Sequence, residues 1–253
     1  MSRPAHSLLP LPMPPRLFVD PPLGACDGLA LPERAARHVQ VLRLQPGDAV
    51  TLFDGTGGQW SGRIASMERR GARVQVLAHS AQESEASIAV TLALAMPAND
   101  RMDALVEKAA ELGAVAIVPL HTERSVLRLT DERASRRQAH WQAIAVAACE
   151  QCGRNRVPVI HPVQSLATWL AALPPRAAGE ARQLLGWRGA VPWAQAAASP
   201  AAAVTLLSGP EGGFAEAEED MAQLRGFVSV SLGARVLRAD TAPLAALAAL
   251  VLR

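Results

Sequence analysis

Two hydrophobic periods follow one another along the chain. Between Arg16 and about Ala78, apolar and polar residues alternate over short runs, and Ala49–Phe53, Gln59–Ala65 and Arg73–Ala78 predict strands. Trp60, Gly62 and Ile64 fall on one face of the second run, and Asp54-Gly55 and Gly57-Gly58 supply turns. Leu31-Pro32-Glu33 opens a short helical piece with Ala36, Val39 and Leu42 on one side. Residues 16–82 therefore read as a small β-barrel with Phe18, Phe53 and Trp60 in its core, and polar Glu83–Ser87 as a linker.

From Ile88 the pattern changes to strand, helix, strand, helix. Ile88–Met96 is an apolar strand; Met102, Leu105, Val106, Ala109 and Leu112 then recur at helical spacing, with Gly113 placed to end the helix. Val115–Leu120 predicts a strand, and a long helix spans about Asp131 to Cys152 with Trp141, Ile144, Ala145 and Ala148 on one face. Ser165 is an N-cap for a helix through Leu173. Leu184-Leu185, Val204–Ser208 and Phe227–Leu232 read as buried strands, Glu216–Arg225 as a helix between the last two, and Thr241–Leu252 as an apolar closing helix. Alternation of this kind predicts an α/β domain, 88–253, with a parallel sheet covered on both faces. Ligands of such sheets bind in the loops at the carboxyl ends of the strands.

Composition narrows the partners. Half of the 253 residues are hydrophobic, yet no apolar run is long enough for a membrane span. Residues 1–15 carry prolines that break any signal-peptide core, so they read as a disordered leader and the protein as cytoplasmic. Three cysteines, Cys26, Cys149 and Cys152, do not make a secreted disulfide framework. The net charge is only +2, but between Glu33 and Arg73 seven arginines face four carboxylates, and the tally repeats between His121 and Arg156. Local basic faces of this kind permit nucleic acid. Coding bias toward arginine explains them equally well, since Lys108 is the only lysine.

Three segments carry candidate chemistry. Ser208-Gly209-Pro210-Glu211-Gly212-Gly213-Phe214 lies between a strand and a helix, where glycines let backbone donors approach a ligand. Its spacing fits neither GxGxxG nor the lysine-bearing phosphate loop, so a plain turn is the rival reading. Leu232–Ala242 joins the last strand to the last helix. Asp240 or Thr241 caps that helix on the plain reading, whereas Leu232, Val236 and Leu237 also offer an apolar slot for an adenine ring. Ala148-Cys149-Glu150-Gln151-Cys152-Gly153-Arg154-Asn155-Arg156 contains a CxxC. A helix C-terminus disfavours a thiolate there, and no second ligand pair completes a metal site. Arg154 and Arg156, just past the helix, are placed to hold phosphate.

Together GPEGGF after a strand, LGARVLRADTA before the last helix, and ACEQCGRNRVP resemble the ribosomal RNA small subunit methyltransferase E family. Arg16–Val19, His38–Arg43, Pro46-Gly47-Asp48, Phe53-Asp54-Gly55 and Lys108–Gly113 extend the likeness over nearly the whole chain. The family usually has glutamate at Asp240, and Lys-Gly at Pro97-Ala98. The resemblance implies a PUA-like N-terminal domain, a SPOUT domain with a C-terminal trefoil knot, a homodimer, and S-adenosylmethionine as cofactor. It implies methylation of N3 of uridine 1498 in 16S ribosomal RNA, in the assembled small subunit, with no metal. By matching residues, the cofactor pocket comprises Leu185, Gly186, Leu207, Ser208, Gly209, Glu211, Gly212, Ser231, Leu232, Gly233, Val236, Leu237 and Arg238.

Uridine N3 must lose its proton before it becomes a nucleophile, and positive charge must meet the oxyanion character left on the ring. Arg238 or Arg154 is the expected stabiliser, with Asp240 or Glu211 as base or orienting group. Arg16, His38, Arg43, Arg124, Arg154 and Arg156 are the expected RNA contacts. N3 lies in the Watson–Crick edge, so the target must be unpaired or flipped out. Two alternatives stay open: methylation of a ribose 2′-hydroxyl or another base, and a non-catalytic RNA-binding assembly factor.

Overall fold

A computed structural model describes residues 14–252, apart from 21, 70, 98–100, 128, 130 and 197–200. The expected leader thus falls almost wholly outside the described residues, as do Ala98, Asn99 and Asp100. The chain divides between Glu83 and Ser84 into two compact units.

The first unit holds β1 (Arg16–Phe18), β2 (Cys26–Ala30), α1 (Glu33–Val41), β3 (Ala49–Phe53), β4 (Gln59–Glu68) and β5 (Gly71–Ser80). Its strands form one mixed sheet in the order β1-β3-β4-β5-β2, parallel only between β1 and β3. Among the described residues no ladder joins β2 to β1. Instead α1 packs on both β1 and β5, so Ala35, Ala36 and Val39 share one core with Leu17, Leu52, Ile64 and Val74. The expected barrel is thus completed by a helix. Leu42 does not join Ala36 and Val39, because the helix ends there and leaves it exposed. Phe53 is buried with Phe18 edge-on against it at 5.7 Å, while Trp60 is half-buried beside His79. Gly62 is required by space: a Cβ there would lie 2.9 Å from Val74 Cγ1 and 3.0 Å from the Gln75 carbonyl.

The second unit runs β6 (Ala89–Ala95), α2 (Arg101–Glu111), β7 (Ala116–His121), α3 (Asp131–Cys152), β8 (Val159–Ile160), β9 (Gln164–Ser165), α4 (Leu166–Ala172), β10 (Glu180–Leu185), β11 (Val191–Pro192), α5 (Trp193–Ala196), β12 (Ala203–Ser208), α6 (Glu216–Leu224), β13 (Val228–Ser231) and α7 (Thr241–Val251). The sheet order is β11-β13-β10-β12-β6-β7-β8, with β9 also on β7, and each pairing is parallel. Both faces are covered, as the continuous apolar strands require. One core joins Leu92, Leu94, Met102, Leu105, Trp141, Leu206, Leu247 and Leu250; the other joins Ala93, Leu120, Trp169, Leu184, Leu207, Phe214 and Phe227. Trp141 fills the first core, and its indole N–H donates to Asp103 Oδ1 at 2.9 Å. Gly113 takes φ +99° just past α2, and Ser165 Oγ accepts from the Thr168 N–H at 3.0 Å, so the expected stop and cap of two helices are formed. The two-residue strands β8, β9 and β11 gave no sequence signal, because runs that short carry no period.

A candidate cofactor cleft at the carboxyl ends of the strands

Parallel strands β10, β12 and β13 end on one edge of the second unit's sheet. The loops that follow them, with Arg101 at the start of α2 and Arg124 after β7, line a cleft of about 920 Å³. The turn after β12 is drawn tight by the Gly213 N–H donating to the Pro210 carbonyl at 2.9 Å, and Gly213 adopts φ +68°. A Cβ on Gly209 would stand 3.1 Å from the Phe214 ring, so this turn tolerates little beyond backbone. Behind it, Glu218 fixes two loops at once. One of its oxygens accepts from the Ala215 N–H at 2.9 Å at the start of α6, and the other accepts from the Glu123 N–H at 2.8 Å after β7. Arg124 then donates to the Gly212 carbonyl at 3.1 Å.

The loop after β13 forms the facing wall. Ser231 Oγ bonds both backbone groups of Gly233, which sits at φ +112°. Leu232, Val236 and Leu237 line the cleft, and Val236 is 81 % exposed despite being wholly apolar. An apolar side chain held out in solvent inside a cleft marks a surface made for a ligand. Arg235 and Arg238 line it too, both exposed, and their guanidinium groups have no hydrogen-bond or ion-pair partner among the described residues. Glu211 is paired with Arg101 at 3.4 Å. Glu219, on α6, lines the cleft and its carboxyl is raised above the ordinary value, first by desolvation.

Of the residues expected around the cofactor, Leu185, Gly186, Ser208, Gly209, Glu211, Gly212, Ser231, Leu232, Val236, Leu237 and Arg238 all line this one cleft. Leu207 and Gly233 do not. Leu207 points into the second core on the opposite face of its strand, and Gly233 turns the loop from behind. Sequence reasoning missed Arg101, Trp187, Arg188 and Glu219, while Phe214 and Arg235 fall in the two loop segments it singled out. The position of Trp187 and Arg188, directly after a strand on the loop edge, was the available signal for two of them.

Asp240 also departs from expectation. It is the N-cap residue of α7 but its side chain makes no capping bond, and the free N–H groups of Thr241 and Ala242 go to the Arg238 carbonyl at 2.9 Å. Asp240 Oδ1 is buried without a hydrogen-bond partner among the described residues.

Arg154 lies elsewhere. It is buried at the amino edge of the sheet, opposite the cleft. Its guanidinium donates to Glu85 at 3.0 and 2.6 Å and to the carbonyls of Ala110 and Ala114 at 2.7 and 3.0 Å. That is a structural clamp, and it binds the guanidinium expected to be catalytic or phosphate-binding to groups within the fold. Arg156 is exposed nearby. In the first unit His38 is half-buried, Arg43 is exposed at φ 55°, and Arg16 donates to Gln59 at 2.6 Å while lying 4.8 Å from the Phe53 ring centre. In the CxxC pair a shared hydrogen bond lowers the Cys152 thiol and, together with burial, raises that of Cys149. Among the described residues no group of His, Cys, Asp or Glu is arranged to hold a metal.

Comparison with known proteins agrees with this geometry. The model of the RNA methyltransferase domain family matches residues 84–251, and that of the RNA methyltransferase PUA domain family matches residues 31–77. The ribosomal RNA small subunit methyltransferase E of Synechocystis is 36 % identical over 213 residues, covering 83 % of this chain and 67 % of its own length. That of Bacillus subtilis is 30 % identical over 222 residues, covering 86 % and 87 %. The crystal structure of the Neisseria gonorrhoeae enzyme bound to S-adenosylmethionine superposes with a TM-score of 0.87 at 37 % identity, covering 93 % of this chain and 96 % of that one.

Proposed function

The chain belongs to the ribosomal RNA small subunit methyltransferase E family, and from that we propose that it methylates N3 of uridine 1498 in 16S ribosomal RNA with S-adenosylmethionine bound in the cleft. The observation that carries this reading is the meeting of the Ser208–Phe214 turn, the Leu232–Ala239 loop and the Leu185–Arg188 loop in one cleft. The donor set fits the cofactor. Leu232, Val236 and Leu237 give an adenine ring apolar contact, and Gly209 and Gly212 keep backbone donors bare for its polar groups. When bound, the cofactor supplies an electrophilic methyl group on a sulfonium.

The protein's work is then positioning and charge. Arg238 is the group for the oxyanion character that grows on the uracil ring as N3 loses its proton, since it lines the cleft with its charge uncommitted. Glu211, also in the wall, takes that proton. With Arg154 spent on Glu85, the RNA phosphates fall to Arg124, Arg156 and Arg235, and in the first unit to His38 and Arg43. A homodimer and a trefoil knot at α7 belong to the same reading. The exposed apolar residues Ala245 on α7 and Leu252 just past its end support the dimer. No described helix is long and apolar enough to cross a membrane, in keeping with a ribosomal substrate in the cytoplasm.

The test is a methylation assay on isolated small subunits and on naked 16S RNA, with the product mapped to a nucleotide and an atom. N3-methyluridine at one site in the subunit is the expected product. A methyl group on ribose, or none, would overturn the assignment. At saturating cofactor, single-turnover rates should fall on Arg238→Ala and Glu211→Gln and stay unchanged per folded molecule on Arg154→Met.

A further inference from the structure

Of the five tryptophans, Trp141 and Trp169 are buried and Trp60 and Trp193 are packed partly against a core. Trp187 is 56 % exposed although it lines the cleft. Leaving so large an apolar surface in water costs free energy that folding alone would have recovered.

Its mount is rigid. The Gly186 N–H donates to the Val230 carbonyl at 3.1 Å, and a Cβ on Gly186 would come within 2.8 Å of Leu184 Cδ2, so the backbone just before Trp187 is held close against the sheet. Just after it, Arg188 reaches onto α6 and binds Glu216 at 2.6 Å and Asp220 at 3.0 Å. The Ala190 N–H closes the turn on the Trp187 carbonyl at 3.3 Å. An exposed side chain on a backbone held from both sides brings its ring to a ligand at a defined place, with less ordering of the loop left to do. Trp187 has no aromatic or cation–π partner among the described residues, and the same cleft offers the uncommitted charges of Arg235 and Arg238.

An aromatic face beside free arginines is the combination that holds single-stranded nucleic acid: any base presents a π-face, and the guanidinium groups take its phosphates. The enclosed apolar contact that an adenine needs comes from a different loop, at Leu232, Val236 and Leu237. We propose that Trp187 is the platform on which an unpaired base of the RNA substrate stacks as its nucleotide enters the cleft. This rests on the RNA-methylating reading above and adds to it a residue that positions the substrate.

The test uses the full-length protein with Trp187→Ala and Trp187→Phe. Loss of one stacking contact should raise KM for small subunits by roughly 5- to 150-fold. The maximal rate should move less, S-adenosylmethionine affinity by calorimetry should hold, and phenylalanine should restore most of the loss. An unchanged KM overturns the proposal. So does a parallel loss of cofactor affinity, which would make Trp187 part of the adenosine site, or a change of oligomeric state by light scattering, which would place it between subunits. A binding readout separates this from the catalytic reading. Short single-stranded oligouridylate should quench the wild-type tryptophan fluorescence, and Trp187→Phe should lose that quenching even if no methyl transfer to ribosomal RNA is detected. Equal quenching in both proteins would sink the stacking platform alone.

Discussion

At the scale of single residues, burial decided what charge meant. Arg154 looked like a phosphate ligand because it follows a helix end, yet it satisfies Glu85 and two carbonyls in the interior. Replacing it with alanine leaves the half-buried Glu85 carboxylate and two buried carbonyls without their donor, so Arg154→Ala should destabilise the protein by about 3 kcal/mol in urea denaturation. A loss under about 1 kcal/mol would show that the clamp is solvated. Glu219 gives the opposite case. Desolvation holds its carboxyl above the ordinary value, so the folded state binds a proton more readily than the unfolded chain. The penalty is absent at low pH, where both states are protonated, and grows as pH rises through the unfolded and then the folded value. Glu219→Gln should therefore be more stable than the parent at neutral pH. That advantage should vanish on acidification below the usual glutamate pKa of about 4.3, which urea midpoints at the two ends of the range would show.

At the scale of elements, local signals and packing agreed where the runs were long. The span of α3 was legible to the residue, and α2, α4, β3 and β12 nearly so, because apolar spacing, a stop glycine and a capping serine all pointed the same way. Strand β4 extends beyond its expected end, since Met67 still packs on the core after the alternation has faded. Within it, Gly62 is demanded by Val74 and the Gln75 carbonyl across the sheet. Gly62→Ala should overpack that point and lower the stability of the first unit by about 1–3 kcal/mol. Cofactor affinity should be untouched, because the cleft is built wholly from the second unit. Amide exchange would localise the loss to β3, β4 and β5; protection lost from β12 or β13 instead would contradict it.

At the scale of the whole molecule, net charge is a poor guide to RNA binding and local charge a better one. The excess is only +2, but Arg235 and Arg238 stand uncommitted in the cleft. If they meet phosphates or a charged ring, affinity for small-subunit RNA should fall steeply with salt. Each of Arg235→Ala and Arg238→Ala should then lower the slope of log affinity against log salt by about 1. Filter binding across a salt series measures this, and an unaltered slope would remove either residue from the interface.

The sequence by itself determined the order of the long elements and marked two of the loops that meet in the cleft, Ser208–Phe214 and Leu232–Ala239, because periodicity, caps and glycine turns act over a few residues. It could not say that Leu207 turns to the core while Ser208 opens to the cleft, that Glu218 ties two loops together, or that Arg154 lies at the far edge of the sheet. Those facts depend on which strands lie side by side in the order β13-β10-β12-β6, a choice made by burying apolar faces distant in sequence. Only once that order is set does a loop acquire neighbours, and with them a chemistry.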